Sequence, residues 1–267
     1  MPERAAAPIQ TALEERAGAR VARVTLANPA KLNALDAAAI LALTETMRGL
    51  AGDARLRAVV LTGAGDKAFS GGVDVGELGA TTPATAHERI TRLHRCIAAV
   101  RECPAPVIAR VNGYCIGGAL ELAAACDLRI AADHARFGMP EVRLGIPSVI
   151  EAALLPRLMG AGRARWLLLT GELIDAAEAL HWGLVERVVA VQGLDAEVDH
   201  ALDQILAGGA EAIRAQKRLN RAYEELPFAE AVAASIDAFE RAYGTGEPAR
   251  LIGDYLRRRR KVSQSAP

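Results

Sequence analysis

Asn112–Gly113–Tyr114–Cys115–Ile116–Gly117–Gly118–Ala119–Leu120–Glu121, closed twenty residues later by Met139–Pro140–Glu141, is the part of this 267-residue chain whose reading decides the fold. The run Pro106 to Val111 has the apolar character of a strand and ends at Asn112–Gly113, a turn signal. Gly117–Gly118 then opens an Ala/Leu-rich segment, Ala119 to Ala125, whose composition predicts a helix. Paired glycines at a helix start let a ligand approach the backbone and leave free N–H groups directed at it. The partial positive charge there suits an oxygen that turns negative during a reaction. Glu121 sets a carboxylate one turn into an otherwise apolar helix. On their own these residues also admit a plain structural role, with tight packing for Gly117–Gly118 and solvent or an ion pair for Glu121.

Working outward, strands and helices alternate. Val21 to Leu26 alternates apolar and polar residues, Leu56 to Thr62 is apolar, and Asp127 to Ala131 and Leu184 to Val189 are strand-like. Between them Asp36 to Leu50 reads as an amphipathic helix capped by Asp36, and His87 to Arg101 as a second, with Ile90, Leu93, Ile97 and Val100 at helical spacing. Thr81 to Ala86 reads as a loop containing Pro83. Asp175 caps a further helix that Gly183 ends. From Asp195 the pattern is helical, broken at Gly208–Gly209, Pro227 and Gly244–Gly246, and it runs into the basic stretch Arg257 to Lys261. Such alternation indicates an α/β fold.

Composition narrows the function classes. Lys and Arg total 32 and so do Asp and Glu, so no net charge draws the chain to nucleic acid or a membrane. No apolar run approaches the ~20 residues that span a bilayer. Residues 1–8 lack the apolar segment of a secretory signal, and Glu3, Glu14 and Glu15 argue against a transit peptide. The four cysteines show no Cys-x-x-Cys pair and no His at zinc spacing, which fits reduced thiols in a cytoplasmic protein and no metal site. His87 and His94, seven apart with no third ligand, read as surface or packing residues.

The pattern Gly113-x-x-x-Gly117–Gly118-x-x-Glu121–Leu122–Ala123-x-x-Cys126–Asp127, followed by Phe137–Gly138-x-Pro140–Glu141-x-x-Leu144–Gly145, resembles the signature of the crotonase (enoyl-CoA hydratase/isomerase) family. Weaker likeness extends over nearly the whole chain. The resemblance implies a spiral of ββα units over residues 1–194, carrying the active site. A C-terminal helical region, 195–267, would then build a homotrimer or a dimer of trimers. It implies hydration of a 2,3-enoyl-CoA thioester, with coenzyme A as part of the substrate and no separate cofactor. Glu121 would deprotonate water, Glu141 would deliver a proton to C2, and the N–H groups of Val73 and Gly118 would form the oxyanion hole. The implied substrate-binding set is Lys31, Leu32, Ala34, Ser70, Gly72, Asp74, Val75, Tyr114, Gly117, Pro140, Gly145, Ser148, Tyr255 and Arg258. Read without the family, Asn28 to Leu35 is a turn before a helix cap, Ser70–Gly71–Gly72 is a bulge or tight turn, and the basic tail is a solvated helix end.

Retention of both glutamates favours a hydratase over an isomerase; a thioester hydrolase, a decarboxylase, a hydratase for methylthioacryloyl-CoA and an RNA-binding scaffold are the other family readings. Two departures from the pattern matter. Gly76 stands where relatives often carry a lysine. Leu144–Gly145–Ile146–Pro147–Ser148–Val149–Ile150–Glu151–Ala152 is one residue shorter than some hydratases and replaces their glycines. Val149 and Ile150 are therefore expected to narrow the pocket, and Glu151 to be a first-turn residue or a third carboxylate near the site.

Overall fold

A computed structural model describes residues 7–16 and 18–265, and side chains as far as Arg259. The expectation about residues 1–6, and the Arg260–Lys261 part of the basic run, lie outside the described residues.

The chain begins with an antiparallel pair, β1 (Ile9–Arg16) and β2 (Ala19–Leu26), followed by α1 (Ala37–Ala51). Next come β3 (Leu56–Gly63), β4 (Ala68–Ser70), α2 (Val75–Gly79) and α3 (Pro83–Arg101). The following turn of chain holds β5 (Val107–Val111), β6 (Tyr114–Ile116) and α4 (Gly118–Ala124). Then follow β7 (Leu128–Ala132), β8 (Arg136–Gly138) and two 3-10 turns, Pro140–Leu144 and Ile150–Leu154. After α5 (Leu155–Met159) and α6 (Ala161–Thr170) come β9 (Leu173–Asp175), α7 (Ala176–Trp182) and β10 (Arg187–Val189). Four helices end the chain: α8 (Leu194–Ala207), α9 (Ala210–Glu225), α10 (Phe228–Gly244) and α11 (Glu247–Ser265).

The strands form two sheets, one ordered β1-β2-β3-β5-β7-β10 and the other β4-β6-β8-β9. From β2 to β10 the first sheet is parallel, and β4, β6 and β8 are parallel in the second. Each successive unit (β3–β4, β5–β6, β7–β8) thus gives one strand to each sheet before a helix or turn. That is the expected ββα spiral. The β3 and β5 residues Val59, Val60, Leu61, Val107, Ile108 and Ala109 are fully buried, as parallel strands covered on both faces require.

Two side-chain amides staple the spiral where it turns. Asn112 Nδ2 donates to the carbonyls of Gly63 and Gly65, and Asn33 Nδ2 donates to Ala64 and Ala68. Asp36 caps α1 by accepting from Ala39 N–H at 2.8 Å, and Asp175 caps α7 from Glu178 N–H at 2.8 Å, as read from the sequence.

One local expectation needs correction, and β1 and α2 are two elements beyond those read from the sequence. The segment Thr81 to Ala86 is not all loop: Pro83 occupies the first helical position of α3, where its missing N–H costs nothing, and Thr82 with Thr85 forms a capping box. Strand β1 went unforeseen because only Ile9 of its eight residues is buried, leaving little alternation to read. Helix α2 is a five-residue element, capped by Asp74 accepting from Glu77 N–H at 3.0 Å.

The chain divides into two compact units, one ending at Leu202 and the other starting at Asp203, inside α8. In the second unit Phe228, Val232, Ile236, Phe239 and Tyr243 lie exposed at three- and four-residue intervals along α10.

Candidate active site

The register of the second sheet assembles the site. Ile116 on β6 pairs with Gly138 on β8, and Gly117 N–H donates to the Gly138 carbonyl at 2.8 Å. The chain leaving β6 therefore enters α4 beside the chain leaving β8, which puts Glu141 next to Gly117. A Cβ on Gly117 would lie 2.4 Å from Glu141 Oε1, and Gly117 has φ +57°, so a side chain there meets both a clash and backbone strain. Glu141 accepts a hydrogen bond from the Ser148 hydroxyl at 2.9 Å.

Glu121 is 3 % exposed, and its Oε1 accepts from the Ala152 N–H at 3.1 Å. Its Oε2 faces Gly118, lying 3.9 Å from where a Cβ on that residue would stand. Burial in the apolar surroundings of α4 pushes the Glu121 carboxyl up to about 8. The negative charge of Glu141 adds to that rise, the Ala152 N–H opposes it, and Glu151 contributes a smaller rise.

On the opposite wall the loop after β4 comes up to α4. Gly72 has φ +89°, and a Cβ on it would meet the Ile116 carbonyl at 2.5 Å. Only glycine allows that approach. The Ser70 hydroxyl, wholly buried, accepts from Gly72 N–H at 3.1 Å and braces the turn. An isolated parallel bridge joins Leu35 to Val73 through Leu35 N–H to Gly72 and Asp74 N–H to Leu35. Bonds to the residues flanking Val73 leave its own N–H on the far side of that bridge. Val73 Cγ2 would lie 3.2 Å from a Cβ on Gly118, so the two residues are neighbours.

Between these walls lies a cavity of about 500 Å³. Gly72, Val73, Gly117, Gly118, Glu121, Pro140, Glu141 and Ser148 line it, together with Val75. Apolar walls come from Leu78, Ile90, Leu93, Leu144, Ile146 and Val149. The other expected binding residues are not in the lining. Ser70 acts beneath it as described. Gly145 has φ +78° and ends the turn that carries Glu141. Lys31 Nζ is 3.0 Å from Asp74 Oδ2, so that pair stands by Gly76 with the cation exposed. Leu32, at φ +53°, packs on Gly71, Ala34 N–H donates to the Lys31 carbonyl, and Tyr114 is exposed on β6. Tyr255 and Arg258 lie exposed on α11 in the second unit.

One residue of the shortened loop departs from expectation, and a second shows a partner that the sequence did not suggest. Val149 lines the cavity, but Ile150 does not; with φ +43° it packs, partly buried, against the core. Glu151 is in the first turn of Ile150–Leu154 yet only 8 % exposed, and its Oε1 lies 2.6 Å from His94 Nδ1. His94 is therefore more than a surface residue, and the seven-residue spacing from His87 held no hint of it. Ala152, whose backbone N–H holds Glu121, carries no side-chain signal at all. All four cysteines are buried. No helix among the described residues is long and apolar enough to cross a membrane.

Known proteins match this arrangement. The profile of the enoyl-CoA hydratase/isomerase family matches residues 16–260. A crotonyl-CoA hydratase from Syntrophomonas wolfei is 33% identical over 242 residues, covering 90% of this chain and 93% of its own. A short-chain-enoyl-CoA hydratase from Clostridium acetobutylicum is 32% identical over 242 residues, with the same two coverages, 90% and 93%. The crystal structure of an enoyl-CoA hydratase from Bacillus anthracis superposes with a TM-score of 0.88 at 30% identity, covering 93% of this chain and 96% of that one. The spiral of paired strands, the Gly117–Gly118 entry to α4 and the match over nearly all of the sequence make this chain a member of the enoyl-CoA hydratase/isomerase, or crotonase, family.

Proposed function

We propose that the protein hydrates a 2,3-enoyl-CoA thioester of short acyl chain to the 3-hydroxyacyl-CoA. The observation that carries this reading is the meeting of two carboxyl groups, Glu121 and Glu141, at the Gly117–Gly118 backbone on one apolar cavity. Addition of water across C2=C3 needs one base for the water, one acid for C2, and stabilisation of charge on the thioester oxygen. The Val73 and Gly118 N–H groups serve the oxygen, and one such donor is worth roughly 3–4 kcal/mol in the transition state.

Two carboxyls facing one apolar site disfavour each other's ionised form, so one proton is retained, and the rise falls on Glu121. When the proton sits on Glu141, Glu121 is an ionised base of unusual strength, because burial and the neighbouring carboxylates raise its proton affinity. Glu121 takes a proton from water as the water oxygen bonds to C3, and Glu141 gives its proton to C2 as the enolate collapses. The proton balance of the pair is restored by a shift from one carboxyl to the other. The apolar walls exclude bulk water and strengthen each of these interactions.

Val149 adds an apolar side chain to the cavity wall, which supports a short acyl group. The exposed Lys31, paired with Asp74 beside Gly76, supports a contact to a coenzyme A phosphate in that loop. The apolar stripe on α10 supports self-association, as the trimers of the family do. Turnover of a panel of C4 to C12 enoyl-CoAs, followed at the absorbance of the conjugated thioester with free CoA measured alongside, tests the reading. Loss of the double bond without CoA release is the expected result. CoA release matching double-bond loss identifies a hydrolase instead.

A further inference from the structure

Three successive residues behind the cavity do three different things. Ile150 is β-branched yet holds φ +43°, a conformation that costs about 1–2 kcal/mol and persists only where the surroundings over-determine it. Glu151 is 8 % exposed, held at Oε1 by His94 Nδ1 at 2.6 Å, while its buried Oε2 has no hydrogen-bond partner among the described residues. Ala152 shares its N–H between the Val149 carbonyl at 3.0 Å and Glu121 Oε1 at 3.1 Å. A strained residue, an anchored one and the donor to Glu121 thus share one short turn.

A buried carboxylate with a single partner is a poor stabiliser, since desolvation offsets its attraction to the histidine. Its benefit is geometric: the bond from α3 fixes the rotation of the Ile150–Leu154 turn, and that rotation aims the Ala152 N–H. We propose that His94 and Glu151 form a clasp that positions Glu121 through this turn, making both of them positioning residues for the hydration inferred above, on which the kinetic part of the idea rests. The ionisable groups facing Glu121 are Glu141 and Glu151. Those facing Glu151 are His94, Arg101 and Cys96 on α3, and Glu121 on α4.

The test uses full-length His94→Ala, His94→Gln and Glu151→Gln. Titration of Glu121 is followed by NMR of carboxyl-labelled glutamate and assigned by its loss in Glu121→Gln. In His94→Ala the midpoint should rise by about half a pH unit or more, because loss of the Ala152 N–H and an uncompensated Glu151 charge push the same way. For crotonyl-CoA, kcat should fall about tenfold in His94→Ala with KM within about twofold, as for a catalytic group moved off its productive position. His94→Gln, whose amide can donate to Oε1, should recover most of it. Glu151→Gln keeps an acceptor for His94 and should retain kcat within about threefold, with the Glu121 midpoint lowered. An unchanged Glu121 midpoint in His94→Ala overturns the clasp, and so does a loss of kcat that His94→Gln fails to recover. The titration decides the clasp even if the wild type hydrates no enoyl-CoA, an outcome that would refute only the functional reading.

Discussion

Replacing Glu121 by Gln should make the protein more stable in alkaline solution while removing its activity. Glu121 is 3 % exposed, and burial, followed by the charge of Glu141, raises its carboxyl from 4.5 to about 8. The folded state therefore keeps a proton that the unfolded chain releases between those values. Stability must fall as pH rises through that window and stay low above it. At ~1.4 kcal/mol per pH unit the interval sets a ceiling of roughly 5 kcal/mol, and relaxation around the buried charge brings the expected effect to about 2–5 kcal/mol. Glutamine is neutral throughout, and its amide oxygen can still accept the Ala152 N–H. The assay is urea unfolding from pH 5 to 9 at fixed ionic strength and protein concentration, comparing midpoints at constant m. The two proteins should be nearly equal in stability at the acid end, with the gap opening steadily towards pH 9. Parallel stability curves across this range would refute the argument that Glu121 is a buried, proton-holding carboxyl.

Gly117→Ala should cost about 100-fold in kcat, since the methyl group would displace the Glu141 carboxylate by about the ~1 Å that suffices for such a loss; steady-state kinetics at unchanged fold, checked by circular dichroism, decides it. The pH profile of kcat/KM should fall on its alkaline side near pH 8, where the site loses the proton destined for C2; in Glu141→Gln, which has no acid to lose, the residual activity should instead rise with pH as Glu121 ionises, with a midpoint below about 8 because the charge that helps to raise Glu121 is gone. Crotonyl-CoA should be preferred to C12 enoyl-CoA, and Val149→Gly should narrow the difference; a kcat/KM rising steadily from C4 to C12 in the wild type removes Val149 from its assigned role.

Much of the centre of the site was legible because glycine is demanded there by the backbone. Gly72 and Gly117 have positive φ and stand where a Cβ would meet the Ile116 carbonyl and the Glu141 carboxylate, and such requirements are readable in a sequence as glycines at a definite spacing. The caps Asp36 and Asp175 were legible for the same local reason. What escaped was carried by backbone or by distant pairing. The Ala152 N–H leaves no trace in residue type, and the His94–Glu151 bond joins residues 57 apart in sequence. Ile150 reads as pocket filler because it is bulky and sits in the loop beside Val149, whereas it has a left-handed backbone and packs, partly buried, against the core. The coenzyme positions were the least legible: Lys31 and Asp74 answer each other across the loop, and nothing in their spacing announces the pair.

The central claim is that Glu121 and Glu141 act together on water and on C2. The most direct measurement is crotonyl-CoA hydration in D₂O by wild type, Glu121→Gln and Glu141→Gln, following both turnover and deuterium at C2 by NMR. Each variant should lose at least about 100-fold in kcat with KM little changed, and Glu141→Gln should introduce no deuterium at C2. Near-wild-type turnover in either variant, or undiminished C2 exchange in Glu141→Gln, would contradict the paired mechanism at that residue.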